Sequence, residues 1–133
     1  MSTPTTVRQG NFMFLRVAIT LQTLAVFVAS ITAGLLLSSP GGGVLHTVSA
    51  YGVLTMALLH LVAAVLAWRI AGVPPRPTVL YAVGFFGATL AQIALGLAHV
   101  TTLHVPLGVL MFGGSVFQLG RALAGRAYVA AAA

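Results

Sequence analysis

The chain has 133 residues, a length that suits one domain, and it is 59% hydrophobic and only 5% charged, a balance far from that of soluble globular proteins. All six charged side chains are arginine (Arg8, Arg16, Arg69, Arg76, Arg121 and Arg126), and there is no Asp, Glu, Lys or Cys. These absences exclude disulfides, thiolate ligands, carboxylate general bases and hard oxygen sites for calcium or magnesium. The arginines sit at segment ends, where they set topology and meet anionic lipid headgroups, so no nucleic-acid partner is expected.

In chain order, residues 1–14 are polar and read as a cytoplasmic tail without a cleavage site, so the first hydrophobic run reads as an uncleaved anchor. Four stretches reach the about 20 apolar residues that a bilayer requires, at 15–38, 44–69, 78–101 and 104–124. Ser38-Ser39-Pro40-Gly41-Gly42-Gly43 separates the first from the second, and Gly72-Val73-Pro74-Pro75-Arg76-Pro77 separates the second from the third. Pro106 suits the first turn of the fourth. The pattern predicts an all-α integral membrane protein, a four-transmembrane-helix up-down-up-down bundle over 15–124, with a second tail at 125–133.

Arginines precede the first span, flank the middle loop and follow the fourth span, whereas the other two loops carry none. The positive-inside rule then puts both termini and the middle loop in the cytoplasm, with a bacterial plasma membrane as the expected location. Gly34, Gly84, Gly87, Gly96, Gly108, Gly113 and Gly114 supply the small residues that let helices in lipid pack closely. Trp68 beside Arg69, and Tyr81, read as interfacial anchors, and the remaining aromatic residues as core or lipid-facing filler.

The two halves echo one another. Thr23-Leu24-Ala25 matches Thr89-Leu90-Ala91, and Leu45-His46 followed by Gly52-Val53-Leu54 matches Leu103-His104 followed by Gly108-Val109-Leu110. Such a repeat of two spans re-enters the membrane with the same orientation, so its halves are related by an axis along the membrane normal. His46 and His104 then occupy equivalent places facing that axis.

Four histidines, His46, His60, His99 and His104, lie in or at the ends of these spans, and ionisable groups at membrane depth mark functional sites. Spans 2 and 4 both begin at the outer face, which puts His46 and His104 at similar depth on two parallel helices. That arrangement suits two axial ligands to one haem iron, with apolar side chains packed on the porphyrin faces and Gly52 and Gly108 making room for it. His60 follows His46 by fourteen residues, about 40° away in azimuth and about 21 Å away along an ideal helix. Gln22 and Gln118 fall at a similar inner depth, which predicts one bis-His haem and an inner polar layer in place of a second haem. His99, at the outer end of span 3, could exchange roles with His104, bond a porphyrin propionate or face water. For each of these residues the competing reading is structural: solvation at the interface for His46, His99 and His104, and a hydrogen-bonded packing role for His60.

Span 2, with His46 near its start and Ala63-Ala64-Val65-Leu66-Ala67-Trp68-Arg69 at its end, resembles the second helix of a half-bundle in the haem A synthase family. Gln92-Ile93-Ala94-Leu95-Gly96 in span 3, followed by His104, is similar to the same half-bundle, and the resemblance covers roughly residues 15–124. It implies a histidine pair from the second and fourth helices, here His46 and His104. The family's oxidising half carries a Glu three residues before its first histidine, where this chain has Gly43, and the stretch from Gln92 to His104 is shorter than in the family. Conversion of haem O to haem A therefore does not carry over.

The expected function is that of a small b-type cytochrome-like membrane protein with one haem b held by His46 and His104, serving electron transfer or haem handling, with no catalytic residue assigned and enzyme activity left open. With both axial positions filled by imidazole, no site is left for oxygen. Partners expected besides the lipid bilayer are a larger membrane complex or a second copy in a homodimer. Two alternatives stand beside it: a haem-free accessory subunit whose histidines only join helices, and a half-size synthase-like enzyme that restores an eight-helix arrangement by dimerising.

Overall fold

A computed structural model describes residues 5–39, 41–71 and 75–131, with side chains over 13–39, 41–70 and 77–124. The chain forms α1 (Thr5–Ser38), α2 (Gly42–Ala71), α3 (Pro75–Leu97) and α4 (Thr101–Ala131). Each contains a segment long and apolar enough to cross a membrane: Met13–Ser38, Gly42–Ile70, Pro77–Leu97 and Thr101–Ala124. The protein is a membrane protein of up-down-up-down four-helix form.

The helix ends follow from local chemistry. After α1 the Ser39 N–H donates to the Leu35 carbonyl at 2.9 Å and the Gly42 N–H to the Ser39 carbonyl at 3.1 Å. A Cβ on Gly42 would run into the backbone of Leu35 and Leu36, so the immediate reversal into α2 requires glycine. α3 ends at Leu97, short of the expected 101, because His99 takes a left-handed conformation with φ 56°. The His99 N–H donates to the Gly96 carbonyl at 3.1 Å and the Val100 N–H to the Leu95 carbonyl at 2.9 Å, the pairing of a Schellman cap. α4 consequently begins at Thr101, three residues ahead of the expected 104, and Pro106 falls in its second turn and not its first. Helix also continues into both stretches read as tails, from Thr5 in α1 and to Ala131 in α4.

The helices pack in a ring, each against its chain neighbours, with α4 closing on α1. α1 and α2 pack most extensively, α3 and α4 least. The diagonal pairs α1/α3 and α2/α4 have no Cα atoms within 8 Å among the described residues. Any up-down-up-down ring has these neighbours, and the unequal packing of α1/α2 and α3/α4 departs from the equivalence that two repeated helix pairs would give. Thr23 and Thr89, matched in the repeat, are both buried and both donate to the carbonyl four residues back, Ile19 and Phe85, at 2.9 Å.

Two apolar clusters occupy the interior. Leu15, Ala18, Ile19, Ala63, Ala64, Ala67 and Ala82 fill the end that carries Arg16, Arg69 and Arg121, with alanines permitting the close α1/α2 approach. Val26, Val53, Ala57, Phe85 and Met111 fill the region toward the arginine-free end. Between them lies a buried polar layer of Gln22, Thr23, His60 and Ser115, and Thr89 is buried one turn beyond Phe85 toward the arginine-free end. Large apolar residues such as Leu24, Phe27, Val28, Val109 and Leu110 point outward, as a lipid-facing surface requires. Arg69 stacks on Trp68 with its guanidinium carbon 4.7 Å from the ring centre, consistent with an anchor at the arginine-bearing end.

Candidate functional site: the paired imidazoles

His46 stands one turn into α2 and His104 one turn into α4, both at the arginine-free end and both half-buried. Their helices are diagonal partners, so the side chains reach toward each other across the bundle axis, not across a helix contact. The ring centres are 6.1 Å apart and the ring planes are inclined at 76°.

Each ring is oriented through Nδ1. His104 Nδ1 is 3.0 Å from the Gln92 carbonyl, which can only accept, so this nitrogen carries the proton and Nε2 is left with its lone pair. His46 Nδ1 is 3.3 Å from Thr32 Oγ1, which is 2.7 Å from Ser49 Oγ, which in turn donates to the His46 carbonyl at 2.8 Å. Thr32 Oγ1 also donates to the Ala29 carbonyl at 3.0 Å, which leaves its lone pairs open to His46 Nδ1–H and to the Ser49 hydroxyl. Both imidazoles are thus held through Nδ1, His104 by a carbonyl that fixes its tautomer and His46 by a hydroxyl able to accept its N–H, the kind of partner that orients metal-bound histidines.

The approach of α3 to α4 depends on two glycines. A Cβ on Gly96 would come within 3.3 Å of His104 Cε1, and one on Gly108 within 2.8 Å of Gln92 Nε2. Gly108 therefore admits the Gln92 side chain, and Gly96 admits the His104 ring. Gly52 has open space where its Cβ would be.

The donor set selects among metals. Among the described residues no group of three or more His, Cys, Asp or Glu comes together. A bare zinc ion takes four protein ligands in structural sites and three in catalytic ones, so a lone imidazole pair does not suit it. An iron porphyrin brings its own four nitrogens and needs only the two axial positions. With metal–nitrogen distances of about 2.0–2.1 Å on each side, two imidazoles on one metal bring their ring centres to about 6 Å. The observed separation fits that requirement, and the 76° inclination is allowed when both rings contain the same axis.

The other two histidines lie elsewhere. His99 is exposed and serves as the left-handed cap between α3 and α4, outside the facing pair. His60 is fully buried, and its Nδ1 donates to Gln22 Oε1 at 2.7 Å, joining α2 to α1. Its ring faces Tyr81 at 6.1 Å between centres, and no second imidazole faces it. Tyr81, expected at an interface, is turned inward instead, with its hydroxyl buried and unpaired, as are His60 Nε2, Gln22 Nε2 and Gln118 Oε1. The Tyr81 hydroxyl lies beside Gly114, where a Cβ would meet it at 3.6 Å, an ordinary contact. Comparison with family models, curated proteins and solved structures finds no match, so the functional reading rests on the site itself.

Proposed function

We propose that the protein is a small membrane cytochrome of b type, in which His46 and His104 are the two axial ligands of one haem and the bundle serves electron transfer or haem handling. The observation that carries this reading is the facing pair itself: two imidazoles 6.1 Å apart on diagonal helices, each tied through Nδ1 to its own neighbour. The resemblance to a haem A synthase half-bundle points the same way. Bound haem would supply a one-electron couple with both axial positions filled. The Gln92 carbonyl holds His104 in the ligating tautomer, Thr32 can accept from His46 Nδ1–H to the same effect, and the apolar surround from Val26, Val53, Phe85 and Met111 limits water at the inner side of the pair. The arginine distribution supports assignment of this end to the outer leaflet and of both termini to the cytoplasm.

The test is the visible spectrum of the protein purified in mild detergent, oxidised and dithionite-reduced. The expected result is a low-spin b-type spectrum that disappears in His46→Ala and in His104→Ala. Protein that stays colourless after haem is added overturns the reading.

A second reading is a haem-free subunit of a larger membrane complex. It is favoured by the fact that the Thr32–His46 and Gln92–His104 bonds also join α1 to α2 and α3 to α4. Under it, both alanine variants lower stability and no form of the protein retains haem.

A further inference from the structure

The arginine-bearing end holds a second feature that the histidine pair does not use. A cavity of about 390 Å³ opens among α1, α3 and α4, with Leu15, Ile19 and Phe117 on its walls and Arg16 and Arg121 at its rim. A second cavity of about 290 Å³ follows the crevice between α3 and α4, lined by Gly84, Leu107, Leu110 and Gly114. Tyr81 is a wall of both, so the two adjoin at its side chain, and the second follows the bundle's loosest seam.

Three properties define the occupant. Its head is anionic, because two arginines line the first cavity in a chain with no Asp or Glu to neutralise them. Its body is apolar, because the second cavity is walled by aliphatic, glycine and aromatic residues. Its length is that of one leaflet: Gln118 to Leu107 spans eleven residues of α4, about 17 Å, and half of a bilayer core is about 15 Å. Basic pockets between transmembrane helices on the positively charged side suit lipid headgroups.

We propose that this seam is a specific site for one anionic phospholipid, its phosphate on Arg16 and Arg121 and one acyl chain lying past Tyr81 between α3 and α4. The proposal is independent of haem binding. The chain fills space that α3 and α4 leave open, and the lipid thereby becomes part of the packing that carries His104.

The test uses the full chain, delipidated in neutral detergent, given equal amounts of phosphatidylglycerol and phosphatidylcholine and followed by native mass spectrometry. One phosphatidylglycerol should be retained in preference by about thirtyfold, the effect expected of two arginines near a charged headgroup. The double variant R16Q/R121Q should lose that preference. Gly84→Leu adds its side chain into open space in the crevice, so it should keep its helix content and both arginines yet retain less lipid. Equal retention of the two lipids, an unchanged preference in the arginine variant, full retention in Gly84→Leu, or displacement by glycerol 3-phosphate alone would each overturn the proposal. The last outcome would identify a free phosphate as the ligand.

Discussion

The two polar levels of this bundle start from the same element and end differently. At the arginine-free end His46 is matched by His104, fifty-eight residues later; at the deeper level His60 is matched, at the same offset, by Gln118. Both levels tie an imidazole through Nδ1 to a neighbour, Thr32 in one case and Gln22 in the other. Only the first presents a second imidazole across the axis, and the second presents the Tyr81 ring. Where both halves of the chain keep histidine, the bundle sets two imidazoles opposite each other. Where one half does not, it builds a buried packing contact between α1 and α2.

The sharpest break between the levels is removal of one imidazole from each. His46→Ala or His104→Ala should abolish the low-spin spectrum, whereas His60→Leu should leave it intact, read side by side on purified protein. Loss of haem in all three would erase the distinction. Next in size is Gln22→Leu, which strands the buried His60 N–H and should cost about 1–3 kcal/mol in thermal unfolding in detergent. The His46/His104 spectrum should not change.

Thr32→Val sharpens the comparison from the other side. It removes the acceptor for His46 Nδ1–H at a half-buried site, so haem affinity should fall by about tenfold while stability changes less than in Gln22→Leu. Titration of haem into the apoprotein reads the first quantity and thermal unfolding the second. The smallest effect is expected from Gly96→Ala. Its Cβ would press on His104 Cε1 at 3.3 Å, so the ring must shift by a few tenths of an ångström. Haem should stay bound with an altered low-spin electron paramagnetic resonance pattern, and an unchanged pattern would remove Gly96 from the site.

Some of this was legible from residue order because it depends on hydrophobicity and spacing alone. Four apolar runs of bilayer length, broken by Gly and Pro, can only satisfy their backbones as helices. The matched positions of His46 and His104 and the common depth of Gln22 and His60 follow from helical rise. The helix ends around His99 were not legible, because a non-glycine residue in the left-handed region gives no signal in composition. Nor was the inward turn of Tyr81, since an aromatic residue near a span end reads equally as an anchor. Its ring meets His60 and Phe85, and only the first of these comes from another helix.

By itself, then, the sequence determined that the chain lies in a membrane, that it crosses four times, and that imidazole is its available metal ligand. Tertiary structure alone decided which histidines meet. Ring-like packing put α2 and α4 on a diagonal, and contacts with Thr32 and the Gln92 carbonyl hold the two rings through Nδ1. Those outcomes depend on contacts between residues distant in the chain, Thr32 with His46 and Gln92 with His104, and no local pattern encodes them.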